Sequence, residues 1–163
     1  MLRSRFLTAV CLSLTLASPL IAQDAPVDMG ILTLAGQAGE TDTQFDLEAL
    51  KAMPVTEFET STVWTDGVHR FTGVTLADLL AEQSIEGKVI HAAARDGYEV
   101  EIPASDAVAD GPIVAYQMDG APLADDEMGP YWIIYPYDSD PAYRSEEVEA
   151  RSIWQLARLT LSD

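Results

Sequence analysis

Three of the four Asp-Gly pairs in the chain lie between short segments that are rich in apolar and β-branched residues. The pairs are Asp66-Gly67, Asp96-Gly97 and Asp119-Gly120. An Asp-Gly pair between two such segments favours a tight β-hairpin turn, because glycine readily adopts the positive φ that the turn requires. After the second pair, residues 98–102 alternate apolar side chains with glutamates, as in a strand with one buried face. The chain is therefore predicted to consist largely of short strands.

The remaining pattern adds a few short helices to these strands. Apolar and β-branched runs predict strands at 31–35, 55–64, 68–71, 88–94, 98–102, 112–118, 131–135 and 154–161. Helical spacing predicts helices at 45–53, ended by Pro54, and at 76–83, capped by Thr75; Ser105 is predicted to cap one further turn. Gly36 and Gly39 predict a turn. With no repeat or linker, residues 30–163 are predicted to form one α+β domain with a mixed, mostly β sheet and short helices.

The N-terminal residues have the pattern of an export signal. Arg3 and Arg5 precede an apolar run at 6–16 that is too short to span a bilayer, and Ala22 is the expected last residue before cleavage. We expect residues 1–22 to be a signal peptide, residues 23–29 a flexible leader and the protein to be periplasmic. Cys11 is the one cysteine of the sequence, so the mature chain is predicted to have no disulfide, thiolate metal site or cysteine nucleophile.

The charge balance restricts the partners. Against 27 acidic residues the chain has 9 lysines and arginines, and its formal charge is −18. Such a negative protein is not expected to bind nucleic acid or anionic lipid. Beyond the N-terminal run, no apolar run is long enough to cross a membrane, so no membrane insertion of the mature chain is expected.

Familiar catalytic motifs are missing from the sequence. His69 and His91 are far apart and no HxH, HExxH or CxxC spacing occurs, so no metal site is predicted. Ser61 and Ser152 lack the glycine-flanked turn of a serine nucleophile. No glycine-rich phosphate loop is present.

The placement of the few cations and the aromatic residues allows two interpretations. The arginines either form ion pairs that hold loops, or they converge with aromatic side chains around a concave site for a small anionic or planar ligand. The candidate ligand-binding residues are Trp64, His69, Arg70, Arg95, Tyr98, Trp132 and Arg144.

Six motifs occur in an order and at a spacing that resemble one family. They are FTGVTLADLL at 71–80, ARDGY at 94–98, IVA at 113–115, DGAPL at 119–123, Gly129-Pro130 with the strand to Pro136, and WQL at 154–156. The pattern resembles the oxidoreductase molybdopterin-binding domain of sulfite oxidase and of the periplasmic methionine-sulfoxide reductase catalytic subunit. The resemblance covers about residues 30–162 and implies the sulfite oxidase fold, with molybdopterin as its cofactor.

The sequence departs from this family where the metal is held. The resemblance implies a cysteine ligand to molybdenum about a dozen residues before Gly73, where this chain has Thr60 or Ser61. A hydroxyl is a poor replacement for a soft thiolate. Trp132 stands where family members tend to carry an arginine, and Arg3-Ser4-Arg5 is not the arginine pair expected of a cofactor-loaded export substrate.

Two functions are compatible with these features. The first is a periplasmic module without molybdenum, exported by the general secretory route, that binds a small ligand or a partner such as the outer domain of a membrane sensor. The alternative is a molybdopterin-dependent oxidoreductase in which Thr60 or Ser61 lies at the metal.

Overall fold

The computed structural model describes residues 30–35, 41–124 and 127–163. The predicted signal peptide with Cys11, the predicted leader and the turn predicted at Gly36 and Gly39 lie outside the described residues. Within these ranges the chain forms two sheets joined by short helices, which confirms the predicted α+β class.

The first sheet contains both ends of the described chain. Its strands lie in the order β2 (Thr43–Phe45), β1 (Leu32–Leu34), β10 (Leu156–Ser162), β5 (Val89–Ala94) and β6 (Glu99–Pro103). Strands β1 and β10 are parallel, and the other pairs are antiparallel. The turn between β5 and β6 contains Gly97 with φ +89°, as the Asp-Gly pair predicts.

The second sheet carries four of the six family motifs; those at 94–98 and 154–156 belong to the first sheet. The strands of the second sheet lie in the order β3 (Thr56–Ser61), β4 (Val68–Thr75), β7 (Ile113–Met118) and β8 (Ala121–Pro122), with β9 (Trp132–Ile134) also paired to β7. Gly73 in β4 lies so close to β7 that a Cβ on it would be 2.7 Å from the Cα of Ala115. A glycine is therefore required for this strand pairing.

In the described ranges three α-helices connect the sheets: α1 (Leu47–Lys51), α2 (Leu76–Leu79) and α3 (Glu146–Arg151). The first is shorter than predicted because Phe45 belongs to β2 and Asp46 caps the helix, its carboxylate accepting from the amide of Ala49 at 2.8 Å. Thr75 caps α2 as predicted, but this helix ends at Leu79 instead of residue 83. Helix α3 was not predicted. None of the helices described here is long and apolar enough to cross a membrane.

Two predicted strands were too long, and both errors affect the site. The strand predicted at 55–64 ends at Ser61, and the following residues form a loop that carries Trp64. The strand predicted at 154–161 begins only at Leu156, because Gln155 has φ +51° and interrupts the extended backbone. Trp64 and Trp154 are therefore free of strand pairing.

Apolar residues cover both faces of the second sheet. One face packs on the first sheet through a large cluster that includes Leu32, Ile90 and Ile133. The other face carries a smaller cluster built around Phe71 and Trp132, both fully buried. Trp64 packs against both clusters and so lies at an edge of the second sheet, in contact with the residues of both faces.

Candidate functional site

Two neighbouring cavities open where the end of β3, the β5–β6 hairpin and helix α3 meet. The smaller, of about 170 Å³, is lined by Ser61, Thr62, Val63, Tyr137, Arg144 and Glu149. The larger, of about 360 Å³, is lined by Trp64, Ala94, Asp96, Tyr98, Glu149, Ala150, Ser152, Ile153 and Trp154. Because Glu149 lines both, the two cavities meet at its side chain.

The loop after β3 places Trp64 at the larger cavity. The hydroxyl of Thr62 accepts hydrogen bonds from the amides of Trp64 and Thr65, each at 3.1 Å. Thr62 and Thr65 also join through their hydroxyls at 2.8 Å. Short threonine side chains thus satisfy the backbone of this loop and hold it in one turn.

Three tryptophans form one aromatic cluster beside the larger cavity. The ring of Trp64 lies 5.7 Å from that of Trp132 and 5.8 Å from that of Trp154, measured between centroids. Trp132 in turn lies 6.3 Å from Trp154 and 5.7 Å from Phe71. All four contacts are edge-to-face, the arrangement that ring quadrupoles favour. The buried Trp132 therefore supports the two rings that face the cavity.

The segment between α3 and β10 is fixed against β9, and this fixes Trp154. The indole N–H of Trp132 donates to the carbonyl of Ser152 at 3.1 Å, and the amide of Ile133 donates to the carbonyl of Ile153 at 2.9 Å. Beyond Trp154, the side-chain amide of Gln155 donates to the carbonyl of Glu127 at 2.9 Å. The Trp154 ring is consequently held in place although it is 37% exposed.

At the smaller cavity, Asp138 holds the end of β3. Its carboxylate accepts from the amide and the hydroxyl of Ser61, both at 2.8 Å, and from the guanidinium of Arg144 at 2.6 Å. The hydrogen bonds from Ser61, followed by the charge of Arg144, keep the pKa of Asp138 below its ordinary value. The hydroxyl of the fully buried Thr60 accepts from the amide of Asp138 at 3.1 Å and donates to the carbonyl of Ser61.

The buried Tyr137 lines the smaller cavity and contacts Ser152, which lines the larger one. The hydroxyl groups of Tyr137 and Ser152 make a very close hydrogen bond. Burial raises the pKa of Tyr137 to about 12; the hydrogen bond to Ser152 opposes this rise and the negative charge of Glu149 adds to it. Tyr137 is therefore a neutral hydrogen-bonding group at physiological pH.

Helix α3 is short, and its ends are held by side chains. Ser145 caps it by accepting from the amide of Val148. In the last turn Arg151 donates to the carboxylate of Asp106 at 3.1 Å and pairs with Glu147. These contacts orient Glu149 toward the cavities and leave Arg151 directed elsewhere.

The structure brings four of the sequence-predicted site residues to this region. Trp64 and Tyr98 line the larger cavity, and Arg144 lines the smaller one beside Ser61. Trp132 is fully buried and lies behind the cavity wall, so it supports the site without facing it. The aromatic part of the predicted site is thus assembled from distant parts of the sequence.

His69 and Arg70 lie elsewhere, in β4, where both contact Asp119 in the turn between β7 and β8. The ring nitrogens of His69 lie 2.7 Å from the carboxylate of Asp119 and 2.9 Å from the carbonyl of Asp66. Both partners are acceptors, so they favour the doubly protonated ring; the hydrogen bond to Asp119 is the main cause of the raised pKa of His69. Arg70 pairs with Glu59 at 3.0 Å.

Arg95 also takes no part in lining the cavities. Its guanidinium lies directly against Gly30 and near Pro130, and its amide donates to the carbonyl of Gln155. The arginines predicted to converge therefore occupy three separate places, and most of them hold loops. Arg144 alone of the predicted arginines lines either cavity in the part of the chain that the structure describes.

Sequence reasoning missed Glu149 and Trp154. Val148 is the one apolar residue of α3 that is buried, so no helical periodicity marked this segment. The available signal was Ser145 followed by acidic residues, a pattern typical of a helix N-terminus. Trp154 was assigned to a strand because an apolar run contains it.

With this geometry established, comparison with known proteins identifies the class. The oxidoreductase molybdopterin binding domain model matches residues 31–138, and the chain belongs to this family. Among solved structures it is similar to the sulfane dehydrogenase SoxCD from Paracoccus pantotrophus, with a TM-score of 0.60 and 20% identity. The alignment covers 82% of this chain and 38% of that protein, so this chain spans well under half of its length. No curated protein matches the sequence.

The side chains at the family's metal-ligand position can be compared with the ligand that its cofactor requires. The resemblance implies a soft thiolate ligand, but the matching positions hold Thr60, whose buried hydroxyl bonds to the backbone of Ser61 and Asp138, and Ser61, whose hydroxyl donates to Asp138. A hard hydroxyl next to a carboxylate does not replace a thiolate. Within the described ranges, no group of three or more His, Cys, Asp or Glu side chains is placed to hold a metal. These residues do not fit molybdenum held as the resemblance implies.

Proposed function

We propose that this protein is a ligand-binding module that retains the sulfite oxidase fold and does not use molybdenum chemistry. The observation that carries the proposal is the state of the two residues at the family's cysteine position. Both hydroxyls take part in hydrogen bonds that join the end of β3 to the segment containing Asp138. Thr60 and Ser61 therefore have a structural role at this position.

The cavities support the binding part of the proposal. The larger cavity has a volume within the range of small-ligand sites, and its aromatic walls are supported from behind by Trp132. Exposed aromatic side chains held by buried ones are typical of surfaces that recognise another molecule. The ligand would contact Trp64, Trp154 and Tyr98.

We further propose that the module is exported and acts in the periplasm, either on a free ligand or as the ligand-binding partner of a membrane sensor. The proposal is supported by the N-terminal pattern of two arginines, a short apolar run and Ala22. Reporter fusions test the export route. A fusion to residues 1–22 should be exported in cells that lack the twin-arginine pathway; export that depends on this pathway would contradict the proposal.

The absence of molybdenum chemistry is tested on the purified protein. Elemental analysis should give no stoichiometric molybdenum, and denatured protein should release no pterin fluorescence. A matched experiment measures the molybdenum content of Ser61→Cys and Thr60→Cys, which introduce a thiol at each of the two positions. Stoichiometric molybdenum in the wild-type protein would overturn the proposal.

Family membership favours a second candidate, a molybdopterin-dependent oxidoreductase in which Ser61 takes the metal side. Ser61 lines the smaller cavity, whereas Thr60 is fully buried. This candidate requires that Ser61 leave Asp138 when the cofactor binds. The same elemental analysis decides between the two candidates.

A further inference from the structure

We propose that the larger cavity binds a small organic cation that carries a methylated ammonium group. This inference rests on the proposed function, because it names the class of ligand for the same site. Its basis is the aromatic walls, the acidic side chains at the cavity and the lack of cationic side chains in the described lining.

The aromatic walls have the arrangement that a methylated ammonium requires. The planes of Trp64 and Trp154 meet at 85°, so the two rings form adjacent walls of a corner, and Tyr98 contributes a third aromatic side chain. Each ring presents a negative face to a cation, and tryptophan does so most strongly. The contacts of Trp132 with both tryptophans keep this corner formed without ligand.

Two carboxylates supply negative charge at the same cavity. Glu149 and Asp96 both line it, and neither forms an ion pair with any residue that the structure describes. The arginines nearest to Glu149 in sequence have other partners: Arg144 pairs with Asp138, and Arg151 pairs with Asp106 and Glu147. A cationic ligand would therefore meet uncompensated negative charge.

The rest of the lining decides between types of ligand. The described lining of the larger cavity contains no lysine, arginine or histidine, so an anion would find no counter-charge there. The formal charge of −18 over the whole chain attracts cations to the surface. A primary ammonium needs acceptors for three N–H donors; beside the carboxylates of Asp96 and Glu149, the lining includes the apolar side chains of Ala94, Ala150 and Ile153, which offer none. A quaternary ammonium, which has no N–H group, matches such a lining.

This ligand class differs from the anionic or planar ligand expected from the sequence. That expectation depended on the convergence of several arginines. In the structure Arg70 pairs with Glu59 and Arg95 lies against Gly30, so neither contributes positive charge to the cavity.

Titration calorimetry and tryptophan fluorescence of the full chain test the inference with choline and tetramethylammonium as probes. Both should bind and change the emission of the tryptophan cluster. The neutral isostere 3,3-dimethylbutan-1-ol has the shape of choline without its charge and should bind about tenfold more weakly or not at all. Equal affinity of choline and the isostere, or no binding of either cation, would overturn the inference.

Variants locate the site. Glu149→Gln and Trp154→Leu should each weaken choline binding about tenfold, whereas Trp154→Phe, which keeps an aromatic face, should lose less. Glu146→Gln is the matched control on the same helix, because Glu146 is exposed and lines neither cavity. Thermal melting shows that each variant is folded. Unchanged choline affinity in Glu149→Gln would place the cation elsewhere and refute the inference.

The outcome is independent of the molybdenum test. If no cation binds and no molybdenum is present, the ligand class is wrong and the proposed function stands. If stoichiometric molybdenum is present, the proposed function fails whatever choline does.

Discussion

Replacing Asp138 with alanine should destabilise the protein by about 3 kcal/mol. The carboxylate accepts two hydrogen bonds from Ser61 and one from Arg144, and its side chain is only 28% exposed. Hydrogen bonds to a charged group contribute about 1.5–3 kcal/mol each, and the pair with the exposed Arg144 adds at most about 1 kcal/mol. Because the carboxylate is partly exposed, the loss should lie at the lower end of this sum, which is about 3 kcal/mol.

The assay is urea unfolding followed by tryptophan fluorescence at pH 7, with thermal melting in parallel. For a domain of this size, 3 kcal/mol corresponds to a fall in Tm of roughly 10 °C. Asp138→Asn keeps one acceptor oxygen without the charge and should lose less. Asp110→Ala is the control, because Asp110 is exposed and forms no ion pair within the described ranges.

The pH dependence provides an independent check. The pKa of Asp138 is lower in the folded protein than in the unfolded chain, where it is about 3.9. Its contribution is therefore fully present above that value and is lost as the pH falls through the lower, folded pKa. The difference between wild type and Asp138→Ala should be constant from pH 7 to about pH 5 and shrink only below about pH 4. A variant within about 0.5 kcal/mol of wild type at pH 7, or a difference that grows on acidification, would refute the reasoning.

Two further predictions concern the second sheet. NMR titration should give His69 a pKa above 6.5, and Asp119→Asn should lower this pKa. A raised pKa in the folded state stabilises the fold at pH values below the unfolded pKa. The stability lost in Asp119→Asn should therefore be greatest below about pH 6.5 and decline as the pH rises through the folded pKa. An unchanged His69 titration in that variant would contradict the assignment. Gly73→Ala should cost about 3 kcal/mol in urea unfolding, because the new methyl group meets the backbone of β7 near Ala115. A loss below about 0.5 kcal/mol would show that the strands separate easily.

The sheets could be predicted because their turns require particular residues. Asp119 and Gly120 have φ values of +52° and +80°, and Gly97 has φ +89°. Few residue types adopt this region, so an Asp-Gly pair specifies a turn wherever the flanking residues favour strands. The strands β5 to β7 follow from this local rule, and the matched family supports the same architecture.

The site was less accessible from the sequence, because it depends on how charges pair in three dimensions. Arg144 and Arg95 differ little as residues, yet one lines a cavity and the other lies against Gly30. Glu149 belongs to a helix with a single buried apolar residue, which leaves no periodic pattern to find. Trp154 lies in an apolar run that the positive φ of Gln155 excludes from β10.

Native mass spectrometry of the protein isolated from its own cells tests the central claim most directly. Gentle ionisation preserves noncovalent complexes, so any resident group adds its mass to that of the chain. The account predicts the mass of this chain, alone or with one small molybdenum-free molecule. A species heavier by a pterin cofactor, with the isotope pattern of molybdenum, would contradict it.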